Sequence, residues 1–286
     1  MDAQLLEKLM NLKALLRSYE KLAVAFSGGV DSTLLLRLAS ETLGDNALGL
    51  TIDSPTMTTE DLDDVRAFYT QHHIAYELIP LSQLDNAAFR HNSAMRCYIC
   101  KSMEFSAMAE VARAHGITTL AAGINADDLG DYRPGIKALE EIGVVQPLQE
   151  AGLTKANIRE LAKHYGLKSW NKPAGSCLAS RVPYGEQITG EKLHKVSAAE
   201  QFLRDLGLKN LRVRCHSGNF ARIEVAPEER SHFFNSSFMD KVATAFTKMG
   251  FTYTALDLNG YRSGSMNEML DAETKNKVKV TIHGSH

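Results

Sequence analysis

The chain has 286 residues, enough for a full apolar core and for two domains. Its 44% apolar and 23% charged content is that of a globular chain, and a net charge of −2 gives no global pull toward nucleic acid or an anionic membrane. No apolar run approaches the roughly 20 residues that span a bilayer, the first residues carry no basic, apolar leader, and four cysteines are no disulfide framework. A cytoplasmic protein with reduced thiols, and with neither membrane nor nucleic-acid partner, is the expectation.

Leucines at 5, 6, 9, 12, 15 and 16 predict an amphipathic helix over 5–19, followed by a buried strand from 22. That strand runs into Ser27-Gly28-Gly29-Val30-Asp31-Ser32 and then a helix over 30–43, which Gly44 stops. Gly28 and Gly29 lack the Cβ atoms that would keep a polyanion off the backbone, and they let successive amides point into one concavity at a positive helix end. Ser27 and Ser32 add hydroxyl donors. Asp31 is the odd member, because a carboxylate repels phosphate unless it holds a magnesium ion or fixes the loop. No Gly-Lys-Ser/Thr follows, so this is not a Walker A loop. The pattern resembles the PP-loop of the ATP pyrophosphatases, which cleave ATP between its α and β phosphates and adenylate a substrate oxygen.

A second strand over 47–52 ends at Asp53, a helix runs from 58 to 73, and a third strand covers 75–81. This alternation predicts βαβ units and a parallel sheet with helices on both faces, whose ligands sit at the carboxyl ends of the strands beside Ser27–Ser32 and Asp53. His72 and His73 point about 100° apart on a helix and read as an exposed helix end rather than a metal site. Cys97-Tyr98-Ile99-Cys100 stands at a loop-to-helix junction. It suits half a zinc site, a redox dithiol, two iron–sulfur ligands or two unrelated thiols. After a helix over 101–115 and a strand over 118–122 comes an acidic loop with Asp127, Asp128 and Asp131. Those carboxylates fit Mg²⁺ bridging ATP phosphates, pairing with Arg133, or simple solvation. A last strand over 144–148 and a capped helix over 154–165 complete a domain of residues 1–168.

Residues 169–188 lose periodicity and read as a linker doubling as an active-site segment, or as a plain hinge. They hold Cys177, Arg181 and the single Trp170. From 189 to 286 a smaller α+β domain is expected, with a helix over 189–206, a hairpin of strands 211–216 and 221–225, a further helix and a strand over 251–258. Arg212 and Arg214 share one strand face, which suits a phosphate or carboxylate and equally a salt-bridged sheet; Cys215 faces the other way as a buried thiol. The loop 260–267 carries hydroxyls and an arginine without a legible role.

Taken together, Ser27–Ser32, the run GINADDLGDYRP at 123–134, CLASR at 177–181 with Pro183-Tyr184-Gly185, and the 260–267 loop resemble the LarE family over nearly the whole chain. The resemblance implies an adenine nucleotide alpha hydrolase-like α/β fold and an ATP-dependent sulfur transferase that uses ATP and Mg²⁺. It would adenylate a carboxylate of a pyridinium-3,5-biscarboxylic acid mononucleotide and convert it to a thiocarboxylate, in making the nickel-pincer cofactor of lactate racemase. One kind in that family sacrifices the sulfur of a cysteine at the position of Cys177. The other joins that cysteine to a Cys-x-x-Cys pair to hold a [4Fe-4S] cluster carrying an extra sulfide. With Cys97 and Cys100 present, the sequence resembles the second kind. The catalytic candidates are then Cys177 and Asp31. Ser27, Gly28, Gly29, Asp31, Ser32, Asp53, Asp127, Arg181, Arg212 and Arg214 are the binding candidates. Asp31 and Asp128 would hold magnesium, and Cys97, Cys100 and Cys177 the cluster. A sulfide donor and a homo-oligomer, a hexamer being one such assembly, are further implications. A transfer-RNA thiolation enzyme is the competing class, though it needs a basic groove. An adenine-nucleotide sensor without turnover would leave the cysteines idle.

Overall fold

The computed structural model describes residues 1–128, 134–172, 175, 177–262, 265, 268, 270 and 271. Arg133, Asp131, half of the 260–267 loop and the tail beyond 271 lie outside the described residues. In chain order the elements are α1 (Ala3–Ser18), β1 (Leu22–Ala25), α2 (Val30–Leu43), β2 (Ala47–Asp53), α3 (Thr59–His72), β3 (Ala75–Pro80), α4 (Ala87–Arg90), α5 (Arg96–Ala114) and β4 (Leu120–Ala121). They continue with α6 (Pro134–Ile142), α7 (Pro147–Glu150), α8 (Lys155–His164), α9 (Gly190–Asp205), β5 (Leu211–His216), β6 (Phe220–Val225), α10 (Ser236–Lys248) and β7 (Tyr253–Leu256). The chain forms two compact units. One comprises Met1–Leu81 and Cys97–Gly175, the other Ser82–Arg96 and the described residues from Cys177 onward.

In the first unit a parallel sheet has the order β3-β2-β1-β4. Alternate residues feed two cores. Leu22, Val24 and Ala47 pack with α1, α2, α3 and α8, whereas Ala23, Leu48, Leu50 and Ile52 pack with Phe105, Met108 and Ala112 of α5 and Leu139 of α6. Strands buried on both faces read as continuous apolar runs, as they do here. Gly49 leaves room for Tyr69, since a Cβ there would meet the ring at 2.3 Å. The Tyr69 hydroxyl is 2.8 Å from Thr51 Oγ1, which donates to the Phe26 carbonyl at 2.7 Å. The strand expected over 144–148 shrinks to one bridge, Val145 with Ala121. Pro147 takes the first position of α7, where its missing N–H costs nothing, and so turns the chain out of the sheet.

In the second unit β5 and β6 form the expected antiparallel hairpin, with Arg212 opposite Glu224 and Arg214 opposite Arg222, and β7 joins β6 in parallel. Gly218 (φ 69°) and Asn219 (φ 54°) make the turn. Residues 82–96, placed by sequence in the first domain, belong here. Asn92 and Arg96 both donate hydrogen bonds to carbonyls within 179–186. No helix of the described residues is long and apolar enough to cross a membrane.

Candidate functional site

The Ser27–Ser32 loop is built by the end of β1 and the start of α2. Gly28 has φ +72°, and a Cβ there would lie 3.3 Å from Val65 of α3, so both conformation and space call for glycine. Gly29 is the N-cap of α2 and offers no side-chain acceptor, so the first amides of the helix keep their donors for a ligand. Ser32 Oγ donates to the Gly29 carbonyl (3.1 Å), accepts from the Ser27 N–H (3.3 Å) and lies 3.3 Å from Ser27 Oγ. The two serines are thereby locked across the loop.

The acidic loop docks on the same turn. Gly123 is needed for the close approach, because a Cβ there would stand 2.8 Å from the main-chain nitrogen of Ser32. The Asn125 amide donates to Asp31 Oδ1 at 3.2 Å, and Lys155 Nζ pairs with Asp31 Oδ2. The Lys155 N–H donates to Asp127 Oδ2 (2.8 Å), Asp127 N–H to Asn125 Oδ1 (3.0 Å), and Asn125 N–H to Asp128 Oδ2 (3.1 Å). Asp128, expected at magnesium, is buried and turned into its own loop. Asp53 ends β2, half-buried, as placed by sequence. The cation that answers Asp31 is therefore an ammonium, supported by a carboxamide. Sequence reasoning missed Lys155 and Asn125. The legible trace was the capping box of Thr154 and Asn157, which sets Lys155 at the first position of α8.

Cys97 and Cys100 occupy the first turn of α5, three residues apart and so on one helix face. Cys97 is half-buried and Cys100 is buried. The Cys100 thiol donates to Glu104 Oε1 (3.2 Å), whose other oxygen takes Lys101 at 2.7 Å. The start of α6 packs against this turn, since a Cβ on Gly135 would be 3.0 Å from Lys101 Cγ and 3.5 Å from the Cys97 carbonyl. Among the described residues no three His, Cys, Asp or Glu side chains converge on a metal position.

In the second unit Cys177 is exposed and caps a 3₁₀ turn over Leu178–Arg181. Its carbonyl accepts from the Ser180 N–H (2.9 Å), Ser180 Oγ (2.8 Å) and Arg181 Nη1 (3.1 Å). Arg181, expected to meet the ligand, is 3% exposed and directs Nε and Nη2 at Glu200, at 2.8 and 3.0 Å. Arg214 pairs with Glu224 at 2.6 Å and donates to the Ser180 carbonyl (3.1 Å) and Ser265 Oγ (3.0 Å). Arg222 pairs with Glu224 at 3.1 Å and with Asp257. Arg212 stacks on Tyr261 at 5.0 Å. Burial pushes the Arg212 pKa down, and the charges of Arg181 and Arg214 add to that, against the pull of Glu200. Of the two arrangements considered for the shared face, the described residues show the salt-bridged sheet, with Arg214 and Arg222 on Glu224 and Arg222 also on Asp257. Cys215 points to the other side and is fully buried.

The NAD synthase family model matches residues 5–121, the part of the chain that holds the nucleotide loop. The pyridinium-3,5-bisthiocarboxylic acid mononucleotide synthase of Lactiplantibacillus plantarum is 38% identical over 94% of this chain and 96% of its own. The chain belongs to that synthase family. An uncharacterized protein of Synechocystis sp. is 41% identical over 92% of this chain and 98% of its own. One component of the glutamine-hydrolysing GMP synthase of Thermoplasma acidophilum is 30% identical over 64% of this chain and 63% of its own. At 94% of the chain, the likeness to the synthase runs through both units and takes in the Cys177 turn and the arginine hairpin as well as the Ser27–Ser32 loop.

Proposed function

We propose that the chain is an ATP-dependent sulfur transferase acting on pyridinium-3,5-biscarboxylic acid mononucleotide. The observation that carries this reading is the full-length likeness to a synthase of the corresponding bisthiocarboxylate. The uncapped glycine turn at the start of α2 supports it. A substrate carboxylate oxygen attacks the α-phosphorus of ATP, the bond to the β-phosphoryl oxygen breaks, and pyrophosphate leaves. HS⁻ then adds to the acyl carbon, the carbon–oxygen bond to AMP breaks, and the sulfur proton goes to solvent. The mixed anhydride supplies the leaving group; the protein has only to position the sulfur.

Ser27, Gly28, Gly29 and Ser32 cradle the phosphates, with Asp53 and Asp127 at the rim of the nucleotide. Asp31 serves Mg²⁺ once ATP draws Lys155 toward its phosphates, while Asp128 holds the main chain of its own loop through the Asn125 N–H. Arg212 and Arg214 hold the substrate phosphate or second carboxylate, and Arg181 fixes the Cys177 turn beside them. The family resemblance adds a [4Fe-4S] cluster with three protein ligands, Cys97, Cys100 and Cys177, of which the first two share a helical turn. When bound, the cluster would offer a sulfide at its remaining iron. A small-molecule sulfide donor, a homo-oligomeric state and a part in lactate racemase maturation in the cytoplasm go with this reading.

The test incubates anaerobically purified protein with ATP, Mg²⁺, sulfide and the biscarboxylate mononucleotide. Pyrophosphate release that requires the mononucleotide, and a product heavier by the difference between sulfur and oxygen, are expected. Pyrophosphate release without any thiocarboxylate would overturn the assignment.

A further inference from the structure

The exposed Cys177 thiol is followed by a main chain whose carbonyls at 179, 182, 183 and 186 are held by donors from 82–96. Asn92 is fully buried and left-handed, with φ 58°. Its Nδ2 donates to the carbonyls of Val182 (3.2 Å), Pro183 (2.7 Å) and Glu186 (3.0 Å). Its own carbonyl accepts the Gly185 N–H at 3.0 Å. Its Oδ1 accepts from Arg96 Nη1 at 2.8 Å, and the same Nη1 donates to the Ala179 carbonyl at 3.2 Å. Arg96 is 4% exposed and lies over the Tyr184 ring at 4.8 Å. A surface turn could bond these carbonyls to water without burying a guanidinium or holding a non-glycine residue in the left-handed region, both of which cost free energy. What the buried version adds is a fixed path for residues 179–186, which begin two residues after Cys177.

We propose that Asn92 and Arg96 are positioning residues for the Cys177 sulfur: they clamp the turn so that its thiol, or a group bound to it, meets the activated carboxylate in one geometry. The proposal rests on Cys177 being the residue that handles sulfur. It holds whether that sulfur is the cysteine's own or is carried beside it, because both routes need one placement. A displacement of about 1 Å in a reacting group costs on the order of a hundredfold in rate, so a clamp of this kind acts on the transfer step.

The experiment separates the two half-reactions in the full-length protein purified anaerobically. Asn92→Gly keeps the left-handed backbone and removes the amide. Arg96→Met removes the charge and the donors, and Arg96→Lys keeps the charge alone. Mononucleotide-dependent pyrophosphate release, thiocarboxylate formation in a single turnover, and the rate at which iodoacetamide alkylates Cys177 are measured for each. Expected are pyrophosphate release and KM for ATP within about twofold of wild type and thiocarboxylate formation down by about tenfold or more. Cys177 alkylation should be altered, and Arg96→Lys should stand between wild type and Arg96→Met. Wild-type transfer in both Asn92→Gly and Arg96→Met would overturn the proposal, as would a parallel loss of both half-reactions in every variant with a lowered melting temperature. Cys177→Ala is the control on the underlying reading. If it still transfers sulfur, Cys177 has no such role and the clamp has nothing to position.

Discussion

Asp31 sets the problem that the nucleotide loop has to solve. On the proposed reading of this loop as a phosphate cradle, its carboxylate is tolerated because Lys155 and Asn125 take up both oxygens. Removing it should leave the fold intact and stop the chemistry. Asp31→Ala is expected to abolish pyrophosphate release with an unchanged circular dichroism spectrum, and release at the wild-type rate would make Asp31 structural. Lys155→Met removes one charged hydrogen bond, worth about 1.5–3 kcal/mol. Its KM for ATP should rise by the corresponding factor in steady-state kinetics. Gly123 makes a sharper test of the loop-on-loop contact. Its missing Cβ would lie 2.8 Å from a main-chain nitrogen, which cannot rotate away. Gly123→Ala should cost about 1–3 kcal/mol by overpacking, read as a lower midpoint in urea, and should weaken ATP binding with it.

The hairpin of β5 and β6 acts as one element because its charges are shared. Glu200 of α9 accepts from Arg181, Arg204 and the Val213 N–H. Burial pushes its carboxyl pKa up, but the charge and hydrogen bonds of Arg181, the charge of Arg212 and the Val213 N–H outweigh it and hold the group below its ordinary value. A folded pKa below the unfolded one gives stability that is present above about pH 4.3 and lost as pH falls through the folded value. Glu200→Gln should therefore melt lower at neutral pH, by the equivalent of about 3–5 kcal/mol, and flatten the acid limb of the melting profile. A variant that kept the wild-type acid limb would show that other carboxylates set it. Arg212→Ala or Arg214→Ala should raise KM for the mononucleotide and leave ATP affinity alone; equal loss of both would indicate a folding defect. The period-2 pattern made this face legible, down to Cys215 on its reverse, as the apolar runs did for the parallel sheet. It could not show that Arg214 is tied to Glu224 or Arg181 to Glu200, since spacing fixes a face and not a partner. Lys155 stayed hidden for the same reason, its partner Asp31 lying far away in sequence, and so did the transfer of 82–96 to the second unit. The 144–148 strand failed on a local detail, Pro147 starting a helix.

At the scale of the whole molecule the open question is how four thiols divide their labour. Cys215 is buried on the core side of its strand, where burial, the leading cause, pushes its pKa up, so it is a packing residue. Cys97 and Cys100 share a helical turn and Cys177 is exposed on its own. Three thiolates leave one iron of a four-iron cluster without a protein ligand, open to an exogenous sulfide. Anaerobic protein is then expected to contain about four irons per chain. Cys97→Ala, Cys100→Ala and Cys177→Ala should each lose them while Cys215→Ala keeps them, as read by iron and sulfide assays with the visible spectrum. Thiocarboxylate formation should depend on added sulfide and exceed one product per chain. The sacrificial route gives the opposite signature in the same preparation. Iron-free protein would make one thiocarboxylate per chain without sulfide, and a peptide bearing Cys177 would emerge lighter by H₂S. That result would assign the sulfur to Cys177 itself and leave Cys97 and Cys100, with Glu104 bonded to the latter, as a thiol pair without a cluster. Sulfide dependence and the mass of the Cys177 peptide therefore decide between the two routes, because a renewable sulfur and a consumed side chain cannot both satisfy them.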